Sequence, residues 1–211
     1  MSGVEIIVEV VLGLLAATYG TLIGAGGGFI MSPVLLLSFG KAPQVAAATS
    51  LTAVVANAAV AVLTYHQQRR IDFYTGIRFS LATIPGAIAG TVIGPSIPAP
   101  IFKVAFGVLL SLIAVYMVWH GERPGAAGRG AGAEEARLRA AGKTVRVVTG
   151  PDGLPLVYGY RMRDGLILSA AVGLLSSLLG VGGGIIHTPA MISLFGVPAH
   201  VAVATSQFIL L

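Results

Sequence analysis

The sequence predicts an all-α, polytopic helical membrane protein with inverted internal repeats and glycine-broken half-helices. Three observations carry this expectation. Hydrophobic residues make up 55% of the 211-residue chain and charged residues only 10%, whereas an ordinary soluble domain carries about 25% charged residues. Apolar stretches recur at close to the roughly 20 residues a helix needs to cross hydrocarbon. The clearest are Val45 to Tyr65, Phe73 to Gly94, Ile101 to Trp119 and Leu166 to Leu179. Finally, a glycine-rich segment occurs twice in one register.

Taken in order, Glu5 to Ile23 is long enough to cross. It opens on Glu5 and Glu9 with no Lys or Arg before it, unlike the basic start of a signal peptide, so this span is expected to persist in the mature protein. Phe29 to Gly40 covers only about 18 Å of helix and predicts either a tilted short span or a re-entrant half-helix. Val45 to Tyr65 follows as a full span. Within Phe73 to Gly94, Pro85 and the spacing of Gly86, Gly90 and Gly94 predict a kink and a close helix contact. After the uncharged turn Pro95 to Pro100, Ile101 to Trp119 runs back across.

The segment Gly121 to Gly142 is rich in Gly, Ala and Arg and predicts a flexible linker. Thr144 to Thr149 and Leu154 to Tyr160 flank Gly150-Pro151-Asp152-Gly153, the pattern of a small hairpin. The chain thus divides into a first transmembrane repeat (1–120), a basic cytoplasmic linker with a hairpin (121–163) and the start of a second, incomplete repeat (164–211).

The repeat is legible without gaps. Gly24, Gly26, Gly27, Gly28, Ile30, Pro33, Phe39, Gly40, Val45, Ala46, Ala48, Thr49 and Ser50 recur 156 positions later as Gly180, Gly182, Gly183, Gly184, Ile186, Pro189, Phe195, Gly196, Val201, Ala202, Ala204, Thr205 and Ser206. Repeats of this kind build transporters from two related halves. By repeat symmetry the counterpart of Trp119 falls beyond Leu211, so roughly 64 further residues are expected in a longer parent.

Charge sets the expected topology. Arg69 and Arg70, and the group Arg123, Arg129, Arg137, Arg139, Lys143, Arg146, Arg161 and Arg163, fall in two segments that should both be cytoplasmic. This placement, rather than nucleic-acid binding, accounts for a pI near 9.9. With five crossings in the first copy the second is inserted upside down. Tyr65, Phe73, Tyr74, Tyr116, Trp119, Tyr158 and Tyr160 sit near span ends, where an interfacial aromatic belt would place them.

The runs Gly24-Ala25-Gly26-Gly27-Gly28 and Gly180-Val181-Gly182-Gly183-Gly184 each interrupt an apolar stretch. Backbone freed inside a bilayer must be buried in protein or line a wet cavity. The half-helices that restart at Phe29 and Ile185 would aim unpaired N–H groups and a positive dipole end at an anion. The competing reading is that these glycines only let helices pack closely. Candidate substrate-binding residues are therefore Gly26, Gly27, Gly28, Gly182, Gly183 and Gly184, with hydroxyl and amide donors from Thr49, Ser50, Asn57, Thr205, Ser206 and Gln207. Ser and Thr in membrane helices equally bond their own backbone.

Arg78, one turn into a span, could attract an anion or snorkel to the interface, and the second is favoured. His187 stands where the first copy has Met31; it could relay protons, but an interfacial placement is the favoured reading. The chain has no Cys, no metal-ligand spacing and no Ser, His and acid pattern that argues catalysis. No enzyme activity and no cofactor are expected. The expected partners are the bilayer and a small anion, with a proton as an option for coupling; a passive anion channel and a membrane scaffold without transport are the alternatives.

The doubled pattern of a glycine-rich break followed by Pro (Gly24 to Pro33, Gly180 to Pro189) and then Ala-Thr-Ser (Ala48 to Ser50, Ala204 to Ser206) resembles the TauE/SafE-type sulfite exporters, also grouped as toluene-sulfonate uptake permeases. The resemblance implies a bacterial-type inner-membrane transporter of sulfite or small organosulfur anions such as sulfonates or sulfoacetate. The basic linker departs from the family pattern.

Overall fold

The computed structural model describes residues 3–119, 126–127, 131–149 and 155–211. The first copy comprises α1 (Gly3–Ile23), α2 (Gly28–Leu37), α3 (Pro43–Gln67), α4 (Phe73–Ile93) and α5 (Ala99–Trp119), with a 3-10 turn at Gly94–Ser96. Strand β1 (Ala126–Ala127), helix α6 (Ala131–Ala140) and strands β2 (Thr144–Thr149) and β3 (Pro155–Tyr160) follow. The second copy supplies α7 (Met162–Leu179), α8 (Gly184–Ser193) and α9 (Ala199–Leu210). The ends of α1 and α7, and both ends of α2 and α8, differ by the 156 positions of the sequence repeat.

Pro43–Gln67, Phe73–Ser96, Ala99–Tyr116 and Met162–Leu179 are each long and apolar enough to cross a membrane. Their outward faces carry large apolar side chains, among them Val60, Leu81, Val92, Leu112 and Ile167, which is the arrangement lipid rather than water rewards. Small buried residues fill the inside, such as Ala46, Ala58, Ala202 and Ala204.

Contacts along the chain fix the helix directions. A side chain at Gly27 would be driven against Ala16, and Met31 Cε lies 3.8 Å from where a Cβ at Gly13 would sit, so α2 runs back along α1. Ser50 on α3 then bonds Gly28 and Tyr65 bonds Thr21, so α3 runs antiparallel to α2 and ends beyond the tip of α1. The segment Phe29 to Gly40 is therefore a returning half-helix, and α1 with α2 forms a hairpin entered from one end of the bundle. From there α3, α4 and α5 alternate and leave the chain at the opposite end, where α7 begins. The second copy is thus inverted relative to the first.

Helices α4 and α7 lie parallel and very close. A Cβ at Gly165 meets the Phe79 ring, one at Gly86 meets the Ala170 carbonyl, and one at Gly90 would lie 2.6 Å from the Leu174 carbonyl oxygen. This is the small-residue packing that lets backbones touch in a membrane.

At the end where α7 begins sits a three-stranded sheet of order β1-β3-β2, with β2 and β3 antiparallel and in register from Thr144–Tyr160 to Thr149–Pro155. The four residues of the expected turn, 150–153, lie outside the described residues. Within the segment read as a flexible linker, residues 131–140 form α6, and Leu138 packs on Gly159 of β3. Ion pairs Arg139–Glu135 and Arg137–Glu134 at helical spacing support that helix. Strand β1 also falls in that segment and pairs with β3, while residues 121–125 and 128–130, with Arg123 and Arg129, lie outside the described residues. Tyr158 and Tyr160 are only 2% exposed. They stack on each other inside the sheet's packing against the bundle, so they are core residues and not part of an aromatic belt.

Candidate functional site

The two glycine breaks meet in the interior. All of residues 24–28 and 180–184 are buried. A Cβ at Gly28 would lie 2.5 Å from the Val181 carbonyl oxygen, and one at Gly184 would strike the Gly24 carbonyl. Val54 of α3 fills the space beside Gly26, Gly28 and Gly182. Each half-helix, α2 and α8, therefore starts against the broken backbone of the other copy. Helix geometry leaves the first N–H groups of both without intrahelical acceptors.

The donors expected around an anion are largely engaged with freed carbonyls. Ser50 Oγ donates to Gly28 O at 3.1 Å and Asn57 Nδ2 to Gly26 O at 3.3 Å, while Thr21 donates to Asn57 Oδ1 at 2.9 Å. Ser206 Oγ donates to Gly24 O at 2.9 Å, and Gln207 Nε2 to Gly20 O at 3.3 Å. Two residues not singled out in the sequence complete the set. Thr188 donates to Gly24 O at 3.2 Å, and Ser32 lies 3.2 and 3.1 Å from the carbonyls of Leu179 and Gly180. Their signal was available: they occupy equivalent positions, each just before the repeated proline. The cradle formed by converging half-helix ends is thus lined by carbonyls as well as N–H groups, with the hydroxyls tying the breaks together. This answers the accounting that buried backbone demands.

Not every expected residue joins. Thr205 is fully buried, but its hydroxyl accepts from the Asp72 N–H at 3.0 Å rather than facing the breaks. Thr49, its counterpart, is exposed, as is Arg78. Arg78 lies over the Tyr74 ring at 3.5 Å and donates to the Tyr74 carbonyl, far from the glycines in the chain of contacts and in keeping with a snorkelling cation. His187 is fully buried within the protein and shares a hydrogen bond of 3.1 Å with Ser169 Oγ.

A cavity of about 190 Å³ opens from the end opposite the sheet, between α3, α4, α5 and α7. Gln44, Ala47, Thr91 and Ser177 line it. Ala47 also packs directly on Gly180, so a single side-chain layer separates the cavity from the second break.

At the sheet end, Asp72 anchors a second polar cluster that the sequence reading passed over. Asp immediately before a helical run is an N-cap signal, and its carboxylate indeed accepts from the N–H groups of Tyr74 and Thr75 at 3.2 and 3.4 Å. It also accepts from Arg146 Nη2 at 2.7 Å, Tyr158 OH at 2.6 Å and Thr75 Oγ1 at 2.5 Å. Thr75 has one proton and gives it to Asp72, so Tyr160 OH donates to Thr75 across 2.7 Å. Burial pushes the Asp72 carboxyl upward, but the bonds from Arg146, Thr75 and Tyr158 outweigh it and hold the group below the usual carboxylate range. Burial pushes Tyr160 up to about 12 and Tyr158 higher still, helped by the Asp72 charge. The cluster joins the α3–α4 loop to the sheet, and through Thr205 to α9.

A helical bundle in which two inverted copies, the second represented by α7 to α9, meet at their broken helices is an arrangement many secondary transporters share. The chain belongs to the TauE/SafE sulfite exporter family, whose model matches residues 10–211. It is 32% identical to the probable membrane transporter protein YunE of Bacillus subtilis over 97% of this chain and 73% of that protein. A probable membrane transporter protein of Haemophilus influenzae is 32% identical over 52% of this chain and 42% of its own length. Sulfite exporter TauE/SafE family protein 1 of Arabidopsis thaliana is also 32% identical, over 53% of this chain and 26% of its own length. No solved structure matches. The chain is a multi-pass membrane protein of a transporter family.

Proposed function

We propose that this chain forms the core of a secondary transporter for a small oxyanion, sulfite or an organosulfur anion such as a sulfonate or sulfoacetate. The observation that carries this reading is the meeting of two glycine breaks, each presenting a half-helix start, in the buried interior of the bundle. An anion bound there would take the N–H groups at Gly28 and Gly184, and the hydroxyls of Ser50 and Ser206 in place of the Gly28 and Gly24 carbonyls that now accept from them. Separation of the two breaks uncovers the half-helix starts and frees the Ser206 hydroxyl, which now reaches across to Gly24, and their renewed contact releases the anion, which links binding to alternating access. The cavity beside Ala47 approaches the second break from one side and would become a way in if Ala47 moved off Gly180. The printed names of the family and of the Arabidopsis relative support sulfite as the first substrate to try.

The sheet end is assigned to the cytoplasm of a bacterial inner membrane, because Arg69, Arg70, Lys143, Arg146, Arg161 and Arg163 gather there. The test is sulfite and sulfoacetate uptake into proteoliposomes. Saturable flux with counterflow is the expected result; linear, unsaturable flux would instead make the protein a channel, and no flux of either anion would remove the substrate assignment.

A further inference from the structure

The repeat places the same contact in both halves and fills it differently. In the first copy Met31 lies on Gly13, its Cε 3.8 Å from where a Cβ would stand. The equivalent pair, 156 positions on, is His187 on Ser169, joined by a hydrogen bond of 3.1 Å. The imidazole is fully buried and lies face to face with Phe79 at 6.3 Å. A Cβ on Gly183 would stand 3.4 Å from its Nδ1, so the ring borders the second glycine break directly. One half of the candidate site therefore carries a titratable group where the other carries a thioether.

We propose that His187 is the binding site of a coupling proton, taken up together with the anion; this rests on the transport reading above. The groups facing the ring are the Ser169 hydroxyl from α7, the Phe79 ring from α4 and the Gly183 backbone at the start of α8. Beyond Phe79 stands Tyr160, 5.6 Å away from it, and through Thr75 the Asp72–Arg146 pair, which is already neutralised by itself. Among the described residues, none of the contacts of His187 is with a charged side chain. An isolated charge in such surroundings is costly, and an opposite charge nearby offsets the cost. An anion at the start of α8 would be that opposite charge. Imidazole and anion would then enter as a neutral pair: one proton joins a ring nitrogen on loading and leaves it on release, with no other bond made or broken. The first copy, holding Met31, contributes no second proton, so the predicted ratio is one proton per anion.

The experiment compares the unmodified protein with His187→Gln, which keeps a hydrogen-bonding amide toward Ser169, and His187→Met, which copies the first repeat. Radiolabelled sulfite is followed in proteoliposomes, once as exchange at equal concentrations and once under an imposed gradient of about one pH unit. One proton per anion supports about tenfold accumulation under that gradient. The unmodified protein should exchange and accumulate; both variants, lacking the charge that faces the anion, should need more sulfite for half-maximal exchange and should accumulate nothing even at saturating sulfite. Accumulation by His187→Gln equal to that of the unmodified protein would overturn the proposal. Loss of exchange by both variants even at saturating sulfite would also overturn it, by assigning His187 to folding. Absence of exchange by all three proteins would instead defeat the transport reading itself.

Discussion

The first glycine break and the second share a sequence and a place in the fold, but they are held by different means. Residues 24 and 180, and 26 and 182, adopt matching left-handed backbones. At the next position they part: Gly27 caps α2 with φ 87°, while Gly183 caps α8 with φ −61°. The partners differ as well. Ser32 and Thr188 reach across in both directions, but Ser50 and Asn57 of the first copy bond within their own copy, to Gly28 and Gly26, whereas Ser206 and Gln207 of the second reach across to Gly24 and Gly20. Identical glycines thus do different jobs. Gly27 is required by its backbone, and Gly183 by the space it leaves for Val172 and His187. Internal symmetry repeats a backbone path without repeating its chemistry, and the difference is where direction and coupling can be built in.

The sharpest way to break this comparison is to put the same methyl group into both breaks. Gly27→Ala forces a left-handed alanine against the Ala16 carbonyl and should cost about 3–4 kcal/mol. Gly183→Ala meets Val172 Cγ1 at 2.9 Å, a side chain that can yield, and should cost about 1 kcal/mol. Detergent melting curves of the two variants decide it; equal losses would erase the distinction.

The next effect belongs to the sheet end. Asp72→Asn leaves Arg146 and Tyr158 without their charged acceptor and should destabilise by about 2 kcal/mol. The carboxyl is held below its ordinary value in the folded protein. Its contribution is therefore fully present above the unfolded value of about 4 and fades as pH falls through the folded one. Melting temperature should drop in that acid range for the unmodified protein, with the drop reduced in Asp72→Asn.

The smallest effect separates the paired hydroxyls. Thr205→Ala removes the buried acceptor of the Asp72 N–H and should cost about 1–2 kcal/mol. Thr49→Ala, on an exposed face, should stay within about 0.5 kcal/mol. A comparable loss at Thr49 would mean that its face is buried in the assembled transporter.

Much of this fold could be read from the sequence because membrane helices advertise themselves by length and composition, and because a gapless repeat fixes register. The breaks, the half-helices and the inversion all follow from that. Which face a hydroxyl takes does not follow: Thr49 and Thr205 have the same neighbours in sequence, and only the second faces a partner, the loop of the other copy. Asp72 was hidden for a related reason. As one charge in a loop it looked solvated, and its burial depends on Arg146 and Tyr158, more than 70 residues away. Arg146 had been counted only as a topology signal. The burial of His187 is set by Ser169 and Phe79 on other helices, which its own ten-residue half-helix does not reveal.

The close parallel contact of α4 with α7 has a consequence for how the chain is made. Helix α4 ends at Ile93 and α7 begins at Met162, so about 70 residues must be translated between them. At 5–20 residues per second that is a wait of about 4–14 seconds. Throughout it the face of Gly86 and Gly90 has no native partner, and any other small-faced helix in the membrane is a competitor for it. The protein is thus most vulnerable to misassembly during its own synthesis, before the second copy arrives to close over the first.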